Sequence, residues 1–416
     1  MEAGSLVSRD SGESTGEDLL AWLRQDGTAG SSGADWDAIV ALAREQRVVP
    51  LLATRLASAG AVGRITPEAG ASLTADARAI GMRALGYQRD LALILAALDS
   101  VSVPTVLLKG AHLARAIYPN PGLREMNDID LLIRLADAAR GSQALRAWGY
   151  DFVAPCNPAD GLIGTHHFPR LIKPGAAPIE LHVTLTPTDG RLAIDTEGLW
   201  QRAEPLKQGS RHAALCPEDL LLHICTHSAY SHVTEFGLRP LCDVREIVNA
   251  IPYLDWTAIC HRAREWRVAR GTFLTLYLAA DCLGAEVPDW VLAALRPVDF
   301  DARLAALART HLFTRKTLSV SVPIEATRAY ADRSPLELVR QTYRKVVVSR
   351  AELAAQFPQI ETARFPSWFY VKRALSIGRR HAWLPMAVAR RKDRELTAMI
   401  DRRSTILRWL EAERRA

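Results

Sequence analysis

Two aspartates one residue apart, Asp128 and Asp130, stand at the head of the apolar run Leu131-Leu132-Ile133. That run has the composition of a buried strand, and residues i and i+2 of a strand leave the same face. Side by side on an apolar strand, two carboxylates repel each other and lose hydration unless a cation neutralises them. A hard divalent ion such as Mg²⁺, held by one or two carboxylates and a substrate's phosphates, suits such a pair. An exposed strand edge with two solvated aspartates is the competing reading. A third acid lies in Ile179-Glu180-Leu181-His182, again between aliphatic residues on a strand-like segment. Glu180 is either the outward position of an alternating strand or the carboxylate that completes a three-acid metal site.

Upstream, Thr105-Val106-Leu107-Leu108 is a short β-prone run that ends at Lys109-Gly110 and passes into a helix-forming stretch from Ala111 to Tyr118. A glycine at such a turn lets a phosphate chain approach the backbone, and the helix start offers free N–H groups; ordinary turns use glycine there too. Arg124, on the loop before Asp128, is either a phosphate-neutralising residue or a surface arginine. His223 and His227 share a helix face, but Ile224-Cys225-Thr226 fills the gap and no H-E-x-x-H zinc pattern results. A hydrogen-bonded pair or a nucleotide contact is the expectation for them. His166-His167 receive no role, and Asp243 is expected to cap or salt-bridge a helix.

These residues need elements to hold them. The first hundred residues read as helices: Asp35 is a candidate N-cap before Trp36, Ile39, Val40 and Ala43, and an Ala/Leu-rich stretch runs from about Pro67 to Leu98. Between about residues 100 and 200 the order is strand, helix, strand, helix, strand, strand, with the strands at Thr105–Leu108, Asp128–Ile133, Phe168–Ile172 and Pro178–Leu185. That order predicts a small mixed α/β sheet. From Pro217 the helical signal returns, with helices predicted over Leu238–Ala250, Trp256–Trp266 and Gly271–Leu283. The expected division is a disordered tail (1–18), a helical region (19–100), the α/β core (101–205), a helical domain (206–330) and a basic helical C-terminal region (331–416).

The chain has 416 residues, 49% hydrophobic and 24% charged, which excludes the disordered and fibrous classes. Its apolar runs are too short to span a bilayer, its start lacks a signal-peptide pattern, and its six cysteines are scattered singly, so a cytoplasmic protein with reduced thiols and no stable membrane insertion is expected. Charge is uneven. Residues 340–416 carry 18 Lys or Arg against 7 Asp or Glu, a balance of +11, whereas the whole chain is +6 and residues 1–339 therefore sum to −5. Arg379-Arg380-His381 and Arg390-Arg391-Lys392, with Trp383 and Trp409 nearby, make RNA a candidate partner of this region, a solvated helical face being the plainer reading.

A glycine turn, Asp-x-Asp on one strand and an acid on a later strand, in that order, resemble the nucleotidyltransferase superfamily related to DNA polymerase β. More narrowly, Val106-Leu107-Leu108-Lys109-Gly110, Tyr118-Pro119, Arg124, Asp128-Ile129-Asp130-Leu131-Leu132-Ile133 and Ile179-Glu180-Leu181-His182 are similar to the uncharacterised bacterial nucleotidyltransferase family of type 5. His223, His227 and Asp243 also fit that family's helical half. The resemblance implies an α+β fold, with a small mixed-sheet core embedded in a largely helical chain. It implies an enzyme that moves a nucleoside monophosphate from an NTP, ATP foremost, to a hydroxyl or phosphate acceptor. Asp128, Asp130 and Glu180 would hold Mg²⁺ or Mn²⁺, and Lys109, Gly110 and Arg124 would meet the nucleotide. Members of the family stand beside bacterial natural-product and polysaccharide genes, which implies a biosynthetic tailoring step on a small molecule or peptide. The superfamily usually has Gly-Ser or Gly-Gly at the turn where this chain has Gly110-Ala111, so one hydroxyl contact to the triphosphate is missing. Two other readings stay open: a nucleotide- or RNA-binding module without turnover, and phosphoryl transfer of the kinase type.

Overall fold

The computed structural model describes residues 4–24, 33–154, 156–160, 162, 165–187, 190–233, 237–313, 365–381 and 394–412, with single positions at 327, 347, 353 and 360. Four helices come first: α1 (Gly4–Leu23), α2 (Trp36–Glu45), α3 (Val49–Ser58) and α4 (Pro67–Ser100). Asp35 caps α2 by accepting the Ala38 N–H, and Thr66 caps α4 with Pro67 at its first position. The N-terminal stretch expected to be a disordered tail is helical from Gly4. Leu19, Leu20 and Leu23 are fully buried, and this anchored end supports a helix whose earlier residues have little apolar periodicity of their own.

The sheet follows. Its elements are β1 (Thr105–Leu107), α5 (Lys109–Ala116), β2 (Ile129–Leu132), α6 (Ala138–Ala147), β3 (Asp151–Phe152), β4 (Leu171–Ile172), β5 (Ile179–His182), α7 (Thr196–Arg202), β6 (Glu204–Pro205) and β7 (His212–Ala214). They form one seven-stranded mixed sheet in the order β3-β4-β5-β2-β1-β7-β6. At its centre β2 lies parallel to β5 and antiparallel to β1, and every residue of β1 and β2 is buried. The fold is α+β, a small mixed sheet within a largely helical chain. The sheet extends past residue 205, where the core was expected to end, because β7 runs parallel to β1. Their pairing is pinned by the Thr105 hydroxyl and His212 Nδ1, 2.7 Å apart.

The remaining helices are α8 (Pro217–Thr226), continued by a π-helical turn at His227–Ser231, then α9 (Arg239–Ala250), α10 (Trp256–Glu265), α11 (Ala269–Leu283), α12 (Asp289–Leu295), α13 (Ala302–Leu312), α14 (Ser367–His381) and α15 (Arg394–Leu410). One apolar core joins the N-terminal helices to α8–α13 and α15, and a second fills the space between α4, α6 and the sheet. Trp409 packs in the first core, its ring 5.9 Å from that of Phe300 with the Arg270 guanidinium over it. Trp383 and the Arg390-Arg391-Lys392 cluster lie outside the described residues, as does most of the basic C-terminal region. None of the six cysteines is joined in a disulfide. Among the described residues no helix is long and apolar enough to cross a membrane.

Candidate active site

The parallel pairing of β2 with β5 sets Asp130 directly beside Glu180 in register, so both carboxylates leave the same face of the sheet. His182, two residues beyond Glu180, faces the same way. Its Nε2 lies 2.8 Å from Asp130 Oδ1 and 3.6 Å from Glu180 Oε2. One ligand atom from each of Asp130, Glu180 and His182 falls within 4.8 Å of the others. Asp128 sits just ahead of β2, outside that tight group but within the electrostatic reach of Asp130 and Glu180.

The turn after β1 completes the centre. The Leu108 N–H donates to the Asp130 carbonyl at 3.1 Å, which ties the turn to β2. Lys109, the first residue of α5, has a φ of +42°, uncommon for a residue with a side chain. From there its Nζ donates to Asp130 Oδ1 at 2.7 Å. Gly110 is required by packing: a Cβ there would stand 2.7 Å from Arg124 Nη1 and 2.8 Å from Met126 Cγ and Sδ. The expected reason for this glycine was approach of a phosphate to the backbone; the close neighbours of its Cα are protein side chains.

Charge divides the acids. Burial alone would raise the Asp130 carboxyl, but the Lys109 ammonium and the hydrogen bond from His182 overcome it and hold Asp130 well below the carboxylate range. Asp130 is therefore ionised, and His182 Nε2 is the donor to it. Glu180 is also lowered: burial and the charge of Asp130 raise it, but the His182 hydrogen bond, His167 and the Lys109 ammonium together outweigh them. Asp128 moves the other way: burial, then the charges of Asp130 and Glu180, push it up to about 6. Two ionised acids thus stand beside a third that titrates near neutrality.

Arg124 is fully engaged inside the protein. It is 7% exposed, and its Nε and Nη2 donate to Asp243 Oδ1 and Oδ2 at 3.1 and 2.9 Å. The Tyr118 hydroxyl donates to the same carboxylate at 2.8 Å. This buried pair fastens the loop before β2 to α9, and Asp243 is the salt-bridging residue of that helix. Its spacing from Arg124 in sequence, 119 residues, left no pattern to read. Arg239, at the start of α9, was not singled out from the sequence. Burial and then Arg124 push its guanidinium down to about 9, and its charge acts to lower Asp128.

His182 was quoted in the sequence motif without a role, although its i+2 spacing from Glu180 was the available signal. His166 and His167, given no role above, lie against it, with ring centroids 5.3 and 5.1 Å away. His223, in the last turns of α8, is 1% exposed, and neither of its ring nitrogens has a hydrogen-bond partner. His227 lies 6.1 Å from it, centroid to centroid, so the two rings do not form a bonded pair.

These features define an α+β protein with an acid-lined centre on its middle strands. The chain belongs to the uncharacterised nucleotidyltransferase family, whose model matches residues 32–284, from just ahead of α2 to the glycine that ends α11. No curated protein and no solved structure is similar enough to this chain to match.

Proposed function

We propose that the protein is a metal-dependent nucleotidyltransferase that moves a nucleoside monophosphate from an NTP to a hydroxyl or phosphate group of a small-molecule or peptide acceptor. The observation that carries this reading is the pairing of Asp130 with Glu180 across β2 and β5, beside Asp128 and with the Lys109 ammonium on Asp130. The family membership supports it. Three carboxylates make an all-oxygen donor set that suits Mg²⁺ or Mn²⁺, while His182 Nε2 commits its N–H to the hydrogen bond with Asp130. Asp128, Asp130 and Glu180 would hold the ions. Bound there, divalent ions supply charge neutralisation for the phosphates of the NTP during in-line attack at the α-phosphorus.

The chain's own groups do the rest. His182 and Lys109 keep Asp130 ionised and fix the orientation of its carboxylate. Both donors use Oδ1, so Oδ2 would be the oxygen left for a cation. Glu180, ionised beside His182, would hold a second ion or take the proton of the acceptor hydroxyl. Lys109, bonded to Asp130, would bring positive charge to the phosphates of an NTP held at the acids. With its guanidinium bound to Asp243, Arg124 supports the turn under Gly110 and its effect on nucleotide is indirect.

The test is incubation with each NTP labelled at the α-phosphorus, Mg²⁺ and candidate acceptors, comparing wild type with the Asp128→Ala/Asp130→Ala double variant. Label passing to the acceptor in the wild type alone is expected. Transfer that survives the double substitution would sink the assignment, and transfer from γ-labelled NTP only would establish a kinase-type reaction.

A further inference from the structure

Helix α14 has two unlike sides. Phe369 is buried and clusters with Leu353 and Ile360, with the partly covered Tyr370 packed against them, and this side fastens the helix to the chain. The other side is apolar and open. Trp368, Val371 and Leu375, spaced i, i+3 and i+7, are 54%, 45% and 56% exposed, and Phe365, just ahead of the helix, is 69% exposed. That spacing puts the three helical residues on one stripe. Lys372 is exposed beside the stripe, its ammonium 5.8 Å from the centre of the Phe369 ring. Single exposed apolar side chains are ordinary, whereas a continuous stripe that includes a tryptophan marks an interaction surface.

The charge around the stripe narrows what it meets. The helix carries Lys372, Arg373, Arg379 and Arg380 and no acid. From Thr362 to Lys392 the sequence has eight Lys or Arg and no Asp or Glu, where the average of the chain would put about three acids. A run this long with one sign of charge complements a surface that is uniformly negative. The surfaces of folded proteins carry both signs, so a protein partner gives no reason to exclude every acid. Single-stranded RNA is uniformly negative, but its bases are gripped by rings that stack on them. Two of the three exposed side chains on the helix, Val371 and Leu375, are aliphatic and have no ring to stack. An aliphatic stripe with a tryptophan, bordered by lysine and arginine, suits the boundary between headgroups and acyl chains of an anionic bilayer. There the apolar side chains enter the acyl region and the basic ones stay among the phosphates.

We propose that the exposed face of α14, Trp368, Val371 and Leu375 with Lys372, docks the protein reversibly on a membrane surface rich in anionic phospholipid. The contact is with the surface: among the described residues no helix is long and apolar enough to cross a membrane. It uses none of the acids on β2 and β5 and needs no nucleotide, so it fails or holds separately from the proposed reaction.

Flotation of the full chain with extruded vesicles tests it. Vesicles of phosphatidylcholine with about 30% phosphatidylserine should carry the wild type upward, and phosphatidylcholine alone should bind it at least about tenfold more weakly. Trp368→Ser/Leu375→Ser should lose at least about tenfold in partitioning to the anionic vesicles and melt with the wild type, because both positions are exposed. Lys372→Glu should also weaken binding, more at low salt than at high salt. Brominated phosphatidylserine should quench part of the tryptophan emission of the wild type and less of that of Trp368→Leu, a reading that holds whether or not the double variant folds. Failure to float with anionic vesicles, equal binding to both vesicle types, or quenching that is the same in wild type and Trp368→Leu would overturn the proposal. A well-folded double variant that still binds anionic vesicles normally would overturn it too. So would a dimer in lipid-free buffer that the double variant dissociates, since a second copy would then cover the stripe. An oligoribonucleotide that binds through Trp368 while anionic vesicles do not would assign the face to RNA and likewise overturn it.

Discussion

Replacing Asp128 with asparagine is expected to stabilise the metal-free protein at neutral pH. In the folded chain the Asp128 carboxyl is raised from 3.8 to about 6 by burial and then by the charges of Asp130 and Glu180. A folded-state value above the unfolded one means that the folded protein binds this proton more tightly. Stability is then greatest below about pH 4, falls as pH rises toward 6, and stays lower above it. The difference corresponds to about 3 kcal/mol once the carboxyl is fully ionised. Asparagine keeps the shape and removes the charge, so about 2–3 kcal/mol should be regained at pH 7.5 and almost none at pH 4. Urea unfolding followed by tryptophan fluorescence, in EDTA at pH 4, 6 and 7.5, measures it. Saturating Mg²⁺ should narrow or reverse the difference, because the wild type gains binding energy that the variant loses. A variant less stable than wild type at pH 7.5 in EDTA, or a gain of equal size at every pH, would refute the reasoning.

Three further outcomes are expected. Because Asp128 must be ionised to hold a cation, Mn²⁺ affinity measured by calorimetry should fall up to about tenfold per pH unit below about 6 and level off above it; a flat profile from pH 5 to 8 contradicts this. Asp243→Ala should cost about 3–5 kcal/mol in urea unfolding by stranding the buried Arg124 charge, while Arg124→Met/Asp243→Leu together should cost much less. Gly110→Ala should cost about 1–3 kcal/mol, since the new Cβ meets Arg124 and Met126 below contact distance, and an unchanged melting curve would disprove that packing.

The site was legible in the sequence where its chemistry broke a local pattern. Asp128, Asp130 and Glu180 stood out as acids among aliphatic strand residues, and the strand period alone put the two aspartates on one face. The same period places His182 with Glu180, so its neighbourhood to Asp130 was available as well. What the sequence did not carry was anything that depends on distant pairing. The Arg124–Asp243 bond joins a loop to a helix far along the chain, and Gly110 is a glycine because of that arginine. Strand β7 is three residues long and recognisable only by its partner β1. The helix of the first twenty residues draws its support from tertiary burial of Leu19, Leu20 and Leu23, which Gly- and Ser-rich sequence conceals. His223 and His227 looked like a pair because they share a helix face, but their surroundings, not their spacing, decide what each ring meets.

The central claim is that these acids direct attack at the α-phosphorus of an NTP. A ³¹P NMR time course of the NTP with Mg²⁺ and a phosphorylated or hydroxylated acceptor reads this directly, because each product has its own resonance. The account predicts pyrophosphate and a new phosphodiester or pyrophosphate-bridged product appearing together, at a rate that drops at least a hundredfold in Asp130→Asn, on the order of the loss seen when one charge-stabilising group is removed from an active site. Inorganic phosphate or a phosphorylated acceptor appearing with NDP, or a rate indifferent to Asp130, would contradict it.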